Sequence, residues 1–113
     1  MKTKFHIKER LYLMNVLPKE NSLVDYQLKK GLIKKLEITD SDKELYGFSV
    51  EDGGGSIKWD PKKDFENPAE FELSDQERDY ARNAVESASD GTHNDEYWMV
   101  LTGIYEKLGG NKV

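Results

Sequence analysis

The apolar residues of this 113-residue chain change their spacing three times, and that succession limits the folds open to it. Residues 2–8, KTKFHIK, alternate polar and apolar and predict a short strand with Phe5 and Ile7 on one face. Spacing then turns helical. Ile7, Leu11 and Met14 form one stripe, Leu13 and Leu17 widen it, and Pro18 ends a helix over Glu9–Leu17. A second helix over Ser22–Leu36 carries Val24, Leu28, Leu32 and Leu36 four residues apart, with Gly31 inside it as a point of close backbone approach. Alternation returns at Phe48 and Val50, at Ile57 and Trp59, and at Phe71 and Leu73.

The punctuation agrees with the periods. Ser41-x-x-Glu44 has the form of a capping box and opens a short third helix. Asp52-Gly-Gly-Gly55 between two alternating runs predicts a β-hairpin, and the prolines of residues 60–68 a surface connection. Ser74-Asp-Gln-Glu77 caps a helix to about Ser89, whose inner face of Tyr80, Ala81, Ala84, Val85 and Ala88 is mostly small. Asn94 caps a last helix with a seam of Tyr97, Leu101, Ile104 and Leu108, stopped by Gly109-Gly110. The expected fold is α+β in the order β-α-α-(α)-β-β-β-α-α: one small antiparallel sheet of three or four strands packed by four or five helices. A chain of this length is expected to be a single globular domain over 1–113.

Charge is divided along the chain. The first 36 residues hold nine basic and three acidic side chains, a formal +6, and the other 77 hold eight and nineteen, a formal −11. With 35% charged residues but 11% aromatic ones, the composition is that of a folded domain with a very polar surface. Cysteine is absent, so disulfides and thiolate chemistry are excluded. The longest apolar run, Leu11–Leu17, is interrupted by Asn15 and is too short for a membrane span, so the expectation is a cytoplasmic protein with no membrane contact.

Residues 9–20, ERLYLMNVLPKE, carry the chain's family resemblance, together with residues 36–44 (LEITDSDKE), Ile57-Lys-Trp59 and Tyr105-Glu-Lys-Leu108. The chain resembles a family of small bacteriophage and prophage proteins that open on an ERL…LN.LP.E stretch followed by a Lys/Arg-rich helix. It departs from them at Asn21, where the family carries Gly, and in a longer segment from Ser87 to Tyr97. The resemblance implies a phage or prophage setting and supplies no functional residue.

Chemistry-bearing patterns are few. Asp40, Asp42, Glu44 and Glu51 fit part of a calcium-loop count, but Leu45 stands where the loop needs Gly. His6 and His93 share no metal-ligand spacing, and a glycine run followed by a strand offers no helix N-terminus to an anion. No catalytic residue, metal ligand or cofactor site is therefore expected, and the chain reads as a non-enzymatic protein acting by binding, most plausibly on a host protein. Tyr97, Trp98 and Tyr105 are the candidate partner-binding aromatics, with Trp98 one step off the helical seam as the anchor. The competing reading is a nucleic-acid-associated regulator using Lys29, Lys30, Lys34 and Lys35 as a phosphate-contact face, which the net charge of −5 disfavours.

Overall fold

The computed structural model describes residues 2–50, 57–88 and 92–109. Strand β1 (Lys2–Phe5) leads into α1 (Ile7–Val16), α2 (Leu23–Leu36) and α3 (Asp40–Leu45); β2 (Ser49–Val50) and β3 (Ile57–Lys58) follow. Then come α4 (Pro61–Glu66), β4 (Ala69–Glu72), α5 (Asp75–Ser87) and α6 (Asp95–Lys107). The protein is thus a mixture of helix and strand. Its strands differ from the single sheet expected: β1 pairs antiparallel with β4, β2 pairs antiparallel with β3, and the two ladders are separate. The β1–β4 register sets Lys2 opposite Glu72 and Lys4 opposite Glu70 on the wet face. Thr3 and Phe5 turn inward, and the Phe5 and Phe71 rings lie 5.9 Å apart.

Local chemistry accounts for most helix starts. Ser22 accepts from Asp25 N–H, Ser74 and Glu77 form a reciprocal capping box, and Asn94 accepts from Tyr97 N–H. The third helix starts two residues before the expected Ser41: Thr39 is its cap, with Asp42 reaching back to the Thr39 N–H. Helix α4 replaces what the prolines predicted as a connection. Asp60 caps it and Pro61 occupies its first turn, where a missing N–H costs nothing. The glycine turn at 53–55 lies outside the described residues, as does Glu51 of the calcium-loop count.

Helix α2 packs on α5 and α1, and α6 packs on α1 and α5. The inner face of α5, with Ala81 and Ala84 buried, lets α2 come close. A Cβ at Gly31 would stand 3.3 Å from Glu77 Oε2, so the glycine marks that approach. Leu32 and Leu36 are fully buried, whereas Val24, expected in the same stripe, is 67% exposed. Helical drift is the cause: positions four apart turn about 40° per step, so Val24 lies about 80° round the helix from Leu32 and about 120° from Leu36.

Among the described residues Arg10, Asp64 and Glu77 are buried charged side chains, Arg10 the most deeply. Arg10 on α1 is 2% exposed and donates from Nε to Leu36 O at 3.1 Å and from Nη2 to Glu37 O at 2.7 Å. The same Nη2 meets Asp42 Oδ2 at 2.9 Å. The guanidinium therefore neutralises the carbonyl end of α2 and holds the cap of α3. Nη1 has no hydrogen-bond partner among the described residues, and the guanidinium carbon lies 5.1 Å from the Phe71 ring centroid. Burial alone would raise the Asp42 carboxyl, but the Thr39 N–H and Arg10 outweigh it and hold the group below its ordinary value.

Candidate functional site

A concavity of about 780 Å³ is walled by α1, α4, α6 and the residues at the end of β3 and after it. Trp59, Phe65, Met99 and Val100 give it an apolar wall, with Gly103 among its lining residues. Phe65 is 77% exposed and Met99 73%, so two large apolar side chains stand at this groove with little of the protein over them. The short helix α4 presents Phe65, whose ring stacks on His6 at 6.2 Å between centroids. Trp59 stacks on Phe48 at 5.7 Å.

Charged groups around the groove are already satisfied within the protein. Glu9 Oε1 accepts from His6 N–H at 3.0 Å and from Lys107 Nζ at 2.8 Å. His6 Nδ1 lies 3.1 Å from the same oxygen, so Nδ1 carries the proton. Asp64, buried, accepts from Ile7 N–H at 2.9 Å and thereby closes the start of α1. Lys8 and Glu96 pair with each other. What remains for an incoming molecule is apolar surface. Among the described residues no group of three or more His, Asp or Glu side chains is arranged to hold a metal ion.

The aromatic residues singled out from the sequence lie elsewhere on α6. Tyr97 and Trp98 meet edge to face at 5.1 Å, and His93 stacks on Tyr97 at 3.9 Å. Both Tyr97 and Trp98 are partly buried against the core, as is Tyr105, whose hydroxyl donates to Glu86 Oε1 at 2.7 Å. That hydrogen bond holds the Tyr105 phenol above its ordinary value. Trp98 and Tyr105, seven residues apart, share one stripe of α6, and Met99, Val100 and Gly103 occupy the opposite side. Sequence reasoning missed this second stripe because a seam at Tyr97, Leu101, Ile104 and Leu108 already explains the helix. The available signal was that Met99 and Val100 lie off that seam, apolar on a side that otherwise carries Glu96 and Lys107.

The lysine face of α2 is divided. Lys29 donates to Pro18 O at 2.7 Å, and Lys35 donates to Glu72 O at 2.8 Å and to Glu77 Oε1 at 2.7 Å. Burial alone would raise Glu77, yet Lys35 and the Ser74 N–H hold it below its ordinary value. Lys30 and Lys34 are exposed and have no hydrogen-bond or ion-pair partner among the described residues. Two of the four lysines thus serve the fold.

Set against protein-family models, curated proteins and solved structures, the chain matches none. No helix among the described residues is long and apolar enough to cross a membrane.

Proposed function

We propose that the protein is a non-enzymatic binding module that takes another protein in the groove between α4 and α6. The observation that carries this reading is the pairing of exposed Phe65 and Met99 with a wall whose charges Glu9, Asp64, Lys8 and Glu96 are internally satisfied. An apolar concavity without unpaired charge suits an apolar anchor from a partner better than it suits a charged substrate. His6 supports the same reading: its ring is held by Glu9 and covered by Phe65, an arrangement that caps a helix. Trp98 and Tyr97 belong to the reading as a supporting aromatic cluster on the far side of α6.

The setting proposed with it is a phage or prophage one, with a host protein in the cytoplasm as the partner. Its support is the resemblance carried by residues 9–20 and the later segments. The test is affinity capture of the tagged protein from bacterial lysate with nuclease present, run beside Phe65→Ser/Met99→Ser and Trp98→Ala variants. A stoichiometric protein retained by the parent chain and lost from the Phe65→Ser/Met99→Ser variant is the expected result. Loss from Trp98→Ala alone moves the site across α6. Recovery that requires intact nucleic acid rejects the reading.

A further inference from the structure

Helix α2 carries a second exposed apolar cluster, and its surroundings differ from those of the groove. Leu23 is 76% exposed, and Val24 and Tyr26 are also uncovered. Beside them a small cleft of about 280 Å³ lies between Lys19, Tyr26, Lys29, Lys30 and Ile33. Lys19, like Lys30 and Lys34, has no hydrogen-bond or ion-pair partner among the described residues. Leu23, Tyr26, Lys30 and Lys34 recur at i, i+3, i+7 and i+11, so they form one stripe, roughly 16 Å long, running from apolar to basic.

We propose that this face of α2 docks an acidic amphipathic segment of another protein, one that carries Asp or Glu beside Leu, Ile or Phe. The carboxylates of such a segment pair with Lys19, Lys30 and Lys34, and its apolar side chains cover Leu23, Val24 and Tyr26. Charge complementarity and apolar cover are both needed, because each accounts for only half of the stripe. Nucleic acid meets the lysines but leaves the exposed aliphatic Leu23 and Val24 without a counterpart. Size separates the polyanions further. Charges act over about 8 Å at physiological salt, so a short segment feels the local lysines. A long nucleic acid or an anionic bilayer also meets the acidic remainder of a chain of net charge −5. This surface is independent of the groove, and the two are separable by mutation.

Fluorescence anisotropy on the whole protein tests the proposal with labelled probes. These are an amphipathic peptide of Glu alternating with Leu and Phe, the same peptide with Gln for Glu, and an oligothymidylate. Sedimentation with phosphatidylcholine–phosphatidylglycerol vesicles completes the set, and circular dichroism verifies that each variant is folded. The Glu peptide is expected to bind, and the Gln peptide about tenfold more weakly. Lys30→Glu/Lys34→Glu and Leu23→Ser/Tyr26→Ser should each weaken the Glu peptide about tenfold or more, while Phe65→Ser leaves it unchanged. The proposal is overturned if no probe binds, or if the oligothymidylate or the vesicles bind and the peptide does not. Sensitivity of the peptide to Phe65→Ser but not to the α2 variants also overturns it, and places the segment in the groove instead.

Discussion

Two places in this molecule invert the usual rule of polarity, and they do so in opposite ways. At one, the Arg10 guanidinium is buried, tied to the last carbonyls of α2, to Asp42 and to the face of Phe71. At the other, Phe65 and Met99 stand in water beside an apolar groove. The buried cation has partners from two other helical ends and no access to solvent, which is what a structural tie requires. The exposed side chains have few partners and full access, which is what a binding surface requires. The difference teaches that an out-of-place residue is informative through its ties: one held inside by several partners, as Arg10 is even with Nη1 unpaired among the described residues, belongs to the fold, and one left uncovered points outward.

That contrast can be broken most forcefully at Arg10. Arg10→Ala strands the carbonyls of Leu36 and Glu37 and is expected to cost about 3–5 kcal/mol in urea unfolding. Arg10→Met, which refills the volume but makes none of the hydrogen bonds, should recover part of that loss; full recovery would mean that packing, not charge, holds the site. Asp42→Asn removes the anion but keeps an acceptor, so a smaller loss of about 1–3 kcal/mol is expected.

Acid sharpens the same side of the comparison. Asp42 and Glu77 both have folded values below the unfolded ones. Their contribution is therefore present above the unfolded carboxylate values, about 4, and is lost as pH falls through the lower folded values. Urea midpoints should drop below about pH 4, and Asp42→Asn/Glu77→Gln should flatten the drop. An unchanged slope in that double variant would show that these two carboxylates do not drive acid unfolding. The smallest effect belongs to the other side. Phe65→Ser/Met99→Ser should alter stability by no more than about 0.5 kcal/mol while abolishing partner capture. A large loss of stability there would erase the distinction between the two regions.

What could be read from the sequence follows from how far each signal reaches. Caps at Ser22, Ser74 and Asn94 act within three residues, and the structure has them. The start of α3 was ambiguous because Thr39-x-x-Asp42 and Ser41-x-x-Glu44 have the same form. Arg10, from another helix, selects the first by binding Asp42. Helix α4 was legible in principle, since Asp60 followed by Pro61 is a helix start, but six residues carry too little periodicity to outweigh a second proline at Pro68. The burial of Arg10 depends on backbone carbonyls 26 and 27 positions away, which no local pattern reveals. The groove is assembled from α1, α4, α6 and Trp59, so it was visible only as Met99 and Val100 lying off a seam.

Lys107 reaches across the fold to donate to Lys4 O at 2.9 Å, between positions 103 apart in sequence. Closing a loop of that span costs about 4 kcal/mol of chain entropy before any contact repays it. The ladder partner of β1 is also distant, since Lys2 faces Glu72. During synthesis the first strand therefore leaves the ribosome long before β4 and α6 exist to cover it, with Phe5 uncovered in the meantime. Closure of β1 on β4 and of Lys4 on Lys107 has to wait for β4 and α6, and non-local closures of this kind slow folding. A chain that stops before α6 is accordingly expected to be an open one, prone to aggregate through the strand it cannot yet bury.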